Sequence, residues 1–375
     1  MKKFVVPLVN LRKQYQNIRP EIEREIQDVL NTMELIGGSK IAAFEQQLAK
    51  HCQVHNVVSM NSGTDALYAA LWALDIGPGD EVITTPFTFF ASVEAIMRCR
   101  ARPVFVDIEP DTFLINLDLV EAKISPKTKA ILPVDLFGLP VAATALHALA
   151  RHHRLYIIED ACQAIGAISD HYVAGSIGDL GCLSFFPSKN LGAFGDGGAV
   201  ITDNEDWANA IRMFRNHGAY QKYNNIFMGT NSRLDAIQAA VLLAKLPHLE
   251  TWNNRRQHIA KQYTKHFAAL DFLIAPSTTY KNRTHIFHQY TLRIKNGQRD
   301  ALRIHLQKHG IATMIYYPIA LHCLPALQSF GYEAYDFPEA KLASQEVLSI
   351  PMYPEMTDQQ IQYVIGCVTA FAPKT

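Results

Sequence analysis

The sequence carries no excess charge of either sign: Lys+Arg and Asp+Glu each number 35, and no five like charges run together. That excludes the one-sided basic field by which nucleic acid or an anionic membrane surface is held. No apolar run reaches the roughly 18 residues of a membrane span. The N-terminal apolar stretch stops at Asn10, after Pro7, too short for a signal segment, so a cytoplasmic protein is expected. Cysteine is scarce and scattered, six in all at positions 52, 99, 162, 182, 323 and 367, unlike the dense pairing of small secreted domains. His51-Cys52-Gln53-Val54-His55 has no second ligand pair at zinc spacing, so no metal site is expected. Two phosphate-binding fingerprints are also missing: GxxxxGK[ST], and a GxGxxG between strand and helix. There are no internal repeats or low-complexity tracts.

What is present is apolar material in quantity: 49% of the 375 residues are hydrophobic, enough for one large domain and a smaller one. Between about residue 20 and residue 245, strand-length apolar runs (56–59, 81–84, 103–107, 130–134, 155–159, 182–186 and 199–202) alternate with helical patterns such as 65–74, 90–98 and 142–153. That rhythm predicts an α/β fold with a mostly parallel sheet flanked by helices. Gly77-Pro78-Gly79-Asp80 supplies a turn between elements. A helical stretch over 233–267, interrupted at Pro247, then changes the rhythm, and is followed by an apolar 288–294, a helical 299–308 and Tyr316-Tyr317-Pro318. A boundary near 246 is expected, dividing a large domain, 1–245, from a smaller α+β domain, 246–375.

Three segments carry candidate chemistry. Asn61-Ser62-Gly63-Thr64-Asp65-Ala66-Leu67 follows a strand and opens a helix. Its unpaired amides and positive dipole end suit a phosphate, although an ordinary N-cap by Ser62 or Thr64 explains the same residues. Ile157-Ile158-Glu159-Asp160-Ala161-Cys162-Gln163 ends a strand in a carboxylate, at the edge where open α/β sheets bind ligands; a helix cap is the plainer alternative. The third segment runs from Ser184 to Ala199, with Lys189 just after a strand and a glycine-rich turn leading into the next. A lysine packed there loses solvation and can act as an amine nucleophile, whereas a lone lysine is ordinarily a solvated surface charge. Together the segments meet the needs of pyridoxal phosphate: a phosphate cradle, a Schiff-base lysine, and an acid that keeps the pyridine nitrogen protonated. Thr85-Pro86-Phe87-Thr88-Phe89-Phe90 offers an aromatic to stack on the ring.

From Pro7-Leu8-Val9-Asn10-Leu11 to Ser349-Ile350-Pro351-Met352-Tyr353-Pro354, the chain resembles the DegT/DnrJ/StrS family of pyridoxal-phosphate-dependent nucleotide-sugar aminotransferases. The motifs NSGTDAL, ITTPFTFFAS, VFVDIEPDTF, EDACQAIGA, SFFPSKNLGAFGDGGA, RNHG, NSRLDAIQAA and the YYPIALH segment follow in the family's order. The resemblance implies a fold-type-I, aspartate aminotransferase-like architecture. It implies Lys189 as the Schiff-base lysine and general acid/base, and Asp160 as the partner of the pyridine nitrogen. Gln163 would sit on the ring-hydroxyl side, Phe89 would stack on the ring, and Gly63, Thr64 and Ser184 would hold the phosphate. Asn231 matches a residue that the family donates from the neighbouring subunit, so a homodimer with shared sites is expected. Tyr317 and His322 match the segment that approaches the sugar, in a stretch where the family more often has a proline at the position of Ala320. His285 and His288 read as core histidines, with one of them reaching the site as the alternative. Arg215, Lys222, Arg233 and Arg255 are the cations available for a nucleotide diphosphate.

The implied activity is a ping-pong transfer of an amino group, from glutamate as donor, to a keto-sugar carried on a nucleotide diphosphate. A UDP- or dTDP-linked 3-keto sugar of cell-surface glycan synthesis, such as lipopolysaccharide or O-antigen, is the expected acceptor. Two alternatives keep the cofactor. A sugar dehydratase belongs to relatives that carry histidine where this chain has Lys189, and a non-catalytic regulator predicts a lost lysine or aspartate. Neither nucleic acid nor membrane is an expected partner.

Overall fold

The computed structural model describes residues 5–373. Three helices, α1 (Leu11–Asn17), α2 (Arg19–Thr32) and α3 (Gly38–Cys52), precede the first strand. The principal sheet has seven strands: β1 (Asn56–Met60), β2 (Glu81–Thr84), β3 (Arg102–Phe105), β4 (Thr128–Ile131), β5 (Tyr156–Asp160), β8 (Leu180–Ser184) and β9 (Gly198–Thr202). Their order is β1-β9-β8-β5-β4-β2-β3. β6 (Ile168–Ser169) and β7 (Tyr172–Val173) form a small ribbon between β5 and β8 in the chain. Only β9 runs antiparallel to its neighbours, β1 and β8; the other pairs are parallel. Helices α4 (Gly63–Ala73), α5 (Ala91–Arg98), α6 (Ala143–His153), α7 (Glu205–Phe214) and α8 (Ala236–Lys245) flank it, as the alternation predicts.

Local composition explains this arrangement. β9 is buried along its whole length, as a strand covered on both faces must be. In α4 the run of Ala66, Ala69 and Ala70 leaves little side-chain bulk, and the helix lies close against β8 and β9. The apolar runs predicted at 103–107, 130–134 and 182–186 correspond to strands that begin and end earlier, at 102–105, 128–131 and 180–184. Val106, Leu132, Val134 and Phe185 remain buried beyond the last ladder residue. Apolar character therefore marks burial here rather than pairing.

Pro247 sits in a short 3-10 turn, Leu246–His248, that separates α8 from α9 (Leu249–Phe267). Proline has no N–H to continue an α-helix at that point. Before α8 the chain forms a surface hairpin, β10 (Ala219–Gln221) with β11 (Asn224–Asn225). After α9, β12 (Leu273–Ile274), β13 (Tyr290–Ile294) and β14 (Val347–Ile350) make an antiparallel sheet. Together with α9, α10 (Arg299–Lys308) and α12 (Asp358–Thr369) it encloses a second core around Tyr263, Tyr290, Leu302 and Ile361. Val6 joins that core and bridges Ile311. By contrast, α11 (Pro338–Glu346) belongs to the principal core: Phe337 packs edge-on against Phe105. Asp107 caps α11 by accepting from the amides of Glu339 and Ala340, both at 2.9 Å. Among the described residues, no helix is long and apolar enough to cross a membrane.

The topology sets up a site. Because β1, β5 and β8 point the same way and β9 starts where they end, the connections leaving β1, β2, β4, β5 and β8 converge on one edge with the entry to β9. Open α/β sheets hold ligands at that edge.

Candidate active site

A cavity of about 590 Å³ opens at this edge. Gly63 and Thr64 line it from the first turn of α4, whose amides have no intrahelical acceptor. Ser62 caps the helix, its Oγ accepting from the Asp65 amide at 3.1 Å, so the capping explanation holds for Ser62 while its two successors face the cavity. Only glycine allows this approach: a Cβ on Gly63 would lie 2.8 Å from the Ser184 Cβ and 3.0 Å from the Cys162 Sγ. Ser184, the last residue of β8, lines the same corner.

Asp160 is the last residue of β5, and no helix follows it to be capped. Its Oδ2 accepts from the Ser92 hydroxyl at 2.7 Å and its Oδ1 from the Cys162 amide at 3.3 Å. Ser92 in turn meets the Thr88 hydroxyl at 3.1 Å. Behind Asp160 lie two fully buried acids, Asp135 and Glu159. Burial and the neighbouring Glu159 push Asp135 well above the usual carboxylate range.

Lys189 lies in the loop after β8 with its Nζ free of hydrogen bonds and ion pairs among the described residues. Burial lowers its pKa, opposed by the nearby Asp160. A lysine so placed has a larger neutral fraction than a solvated one, as a nucleophilic amine requires. Gln163 bridges two elements: its Oε1 accepts from the Phe137 amide at 2.8 Å and its Nε2 donates to the Tyr317 hydroxyl at 3.1 Å. Tyr317 is thereby fixed in the cavity wall, with Phe89 beside it at a ring separation of 6.3 Å. Phe89 is 58% exposed, which leaves a ring face available.

The structure thus brings together Gly63, Thr64, Phe89, Asp160, Gln163, Ser184, Lys189 and Tyr317. It does not bring His322: that side chain is buried against Phe337, with a ring separation of 4.9 Å, and packing there keeps it out of the cavity lining. Asn231 is exposed, in a segment bridged to Asn216, and is also outside the lining. His285 is a core residue as expected, stacked on Phe287 at 3.8 Å and pushed down to about 3 by burial. His288 does reach the cavity, with Ser188, Gln289 and Tyr316. Ser92 could not be singled out from sequence, because a serine in the first turn of a helix carries no mark of what its hydroxyl touches. Of the four candidate cations, Arg215 is committed to Glu45 at 2.6 Å and Arg255 to Asp358 at 2.7 Å. Arg233 donates to Asn216, while Lys222 lies over the ring of Tyr223.

The arrangement fits pyridoxal phosphate: a helix start stripped of side-chain bulk, a hydrogen-bonded carboxylate, and an unpaired lysine share one cavity. Comparison with known proteins agrees. The chain is 44% identical to a pleiotropic regulatory protein of Geobacillus stearothermophilus, over 98% of each chain. It is 43% identical to a UDP-N-acetyl-3-dehydro-alpha-D-glucosamine 3-aminotransferase of Acidithiobacillus ferrooxidans, over 95% of each. The crystal structure of DesV from S. venezuelae, in complex with a ketimine intermediate, superimposes with a TM-score of 0.95 at 40% identity, covering 98% of both chains. Pyridoxal phosphate is the cofactor, and the protein is an aminotransferase. With residues 16–369 matching it, the chain belongs to the DegT/DnrJ/EryC1/StrS aminotransferase family.

Proposed function

We propose that the protein transfers an amino group from glutamate to the keto carbon of a UDP- or dTDP-linked 3-keto sugar, in cytoplasmic synthesis of a cell-surface glycan. The observation that carries this reading is the meeting of Lys189, Asp160 and the first turn of α4 in one cavity. Bound pyridoxal phosphate supplies the electron sink and carries the amino group between donor and acceptor. Asp160, held by Ser92 and the Cys162 amide, keeps a proton on the ring nitrogen. Gly63, Thr64 and Ser184 hold the phosphate, Phe89 covers the ring, and Gln163 reaches the ring hydroxyl while orienting Tyr317 toward the sugar. Lys189 Nζ takes a proton from the donor carbon and returns one to the acceptor carbon. The site lies in a large domain, 1–245, and faces a smaller one, 246–375.

The active unit is a homodimer in which Asn231 reaches the phosphate of the neighbouring site. Support comes from the apolar surface beside Asn231: Tyr220, Tyr223, Ile226 and Met228 are all more than half exposed. A solitary chain would leave that surface in water. The free state of all six cysteines accords with a reducing cytoplasm. A purely regulatory role is disfavoured by the retention of both Lys189 and Asp160. The test is an absorption spectrum of the protein supplied with pyridoxal phosphate, before and after glutamate, against Lys189→Ala. A yellow band that glutamate bleaches, and that the variant lacks, is expected; turnover with a panel of nucleotide-linked keto-sugars then identifies the acceptor. Absence of the band in the unaltered protein would refute the reading.

A further inference from the structure

His288 lines the cavity without a part in holding the cofactor. It is 8% exposed and stands at the junction of the two cores, where its Nδ1 lies 3.1 Å from the Oδ1 of Asn190, the residue after Lys189. Asn190 and Asn253 are also buried, at 4% and 5% exposure. Asn190 Nδ2 donates to Asn253 Oδ1 at 2.8 Å, and Asn253 Nδ2 donates to the Ile165 carbonyl at 3.0 Å.

The direction of this chain follows from one end. A backbone carbonyl can only accept, so the Asn253 group facing Ile165 is its NH2 and the opposite group is its oxygen. That oxygen demands the NH2 of Asn190, which turns the Asn190 oxygen toward His288. An amide oxygen can only accept, so His288 must carry its proton on Nδ1. The anchor is itself specific: Gly166, at φ +85°, follows Ile165, and a Cβ there would sit 2.8 Å from Asn253 Nδ2. The charged neighbours of the imidazole are both cations, Lys189 from the loop after β8 and Arg256 from α9, while Tyr316 shares the cavity wall. Burial and those cations disfavour a second proton on the ring. Nε2 has no hydrogen-bond partner among the described residues.

We propose that Asn253 and Asn190 form a tautomer relay that makes His288 a fixed hydrogen-bond acceptor, offering bare Nε2 to a hydroxyl of the sugar in the cavity. Asn190 and Asn253 are positioning residues, and His288 contributes to substrate selection: a fixed acceptor favours a ligand that presents a donor hydroxyl over one that does not. This rests on the nucleotide-sugar reading, but its first half can be decided without any sugar.

In 15N-histidine-labelled holoenzyme, the signals lost on His288→Phe identify the residue. They should show a protonated Nδ1 and a bare Nε2, unchanged between about pH 5 and 8. Asn190→Asp sets a carboxylate against Nδ1 and should make the same signals titrate in that range. Protonation on Nε2, or titration in the unaltered enzyme, overturns the relay. If His288→Phe does not fold, Asn253→Ala serves instead, since it frees the Asn190 amide to turn and should produce a mixture of tautomers; an unchanged single tautomer overturns the relay. For the second half, the holoenzyme should bind UDP-N-acetylglucosamine more tightly than UDP, and His288→Phe should remove about 3- to 10-fold of that difference. An unchanged difference overturns the hydroxyl contact. Binding of neither compound overturns the contact together with the nucleotide-sugar reading, whereas the nitrogen spectrum still reports the relay.

Discussion

Glu159→Gln is expected to destabilise the protein by about 3–5 kcal/mol, the usual cost of breaking a buried charge arrangement, whereas Asp135→Asn on its partner is expected to be tolerated. Both carboxyls are fully buried. Glu159 accepts from the amides of Gly175 at 2.7 Å and Ile177 at 2.8 Å, one on each oxygen. Those amides oppose the rise that burial imposes on Glu159, while Asp135 has only the Val141 amide, at 2.9 Å, to oppose its own. Of the two carboxyls, Asp135 is therefore the one expected to hold a proton, on the side that faces Glu159. Glutamine has a single acceptor oxygen, so one backbone N–H would face another donor. Asparagine at 135 reproduces both of the acid's roles, with its NH2 toward Glu159 and its oxygen toward Val141. The pH dependence has a definite sign. Asp135 keeps in the folded state a proton that the unfolded chain sheds above about 3.8, so its contribution is full below that value. The contribution falls as pH rises toward the raised folded value. Asp135→Asn has no proton to lose and should flatten that decline. Urea unfolding at a series of pH values checks both statements. Equal damage from the two substitutions would refute the placement of the proton.

Lys245 is 1% exposed, donates to the Gly192 carbonyl at 2.6 Å, and is pulled down to about 8 by burial. The cost of its charge is present below about pH 8 and relieved as pH rises toward the unfolded value of 10.5, so Lys245→Met should stabilise by about 1–3 kcal/mol at pH 6 and less at pH 10, read from unfolding midpoints. Gly63→Ala should leave the fold in place but weaken pyridoxal phosphate binding at least about tenfold, since the added methyl must displace Ser184 or Cys162 at the helix start; equilibrium dialysis measures the change, and an unaltered affinity would remove Gly63 from the site. Mixing Lys189→Ala subunits with Asn231→Ala subunits should restore activity, because one site of the mixed dimer then carries neither defect. No recovery in demonstrated mixed dimers would place Asn231 outside the shared site.

Legibility varied with the kind of interaction. Helix and strand periods gave α10 at 299–308 to the residue, and the break at Pro247 was visible because proline cannot take part in the helix ladder. Motif order likewise pointed to Lys189 and Asp160, both of which line the cavity. His322 shows where this reasoning stops: it stands in the same short segment as Tyr317, yet one lines the cavity and the other is packed against Phe337. Neighbours in an irregular segment have no period from which direction can be inferred. His288 was ambiguous for the related reason that a histidine on or before a buried strand looks the same whether its ring meets core or cavity.

By itself the sequence determined the fold class, through its periodicity, and the family and cofactor, through motifs that follow one another in order; it also singled out Lys189 as the candidate Schiff-base lysine. The tertiary structure decided which side chains share a space. Ser92 meets Asp160 across 68 positions, Gln163 meets Tyr317 across 154, and the direction of His288 is set from Ile165 through Asn253 and Asn190. Such contacts form only when separate elements pack, and hydrogen bonds between distant side chains leave no pattern along the chain that connects them.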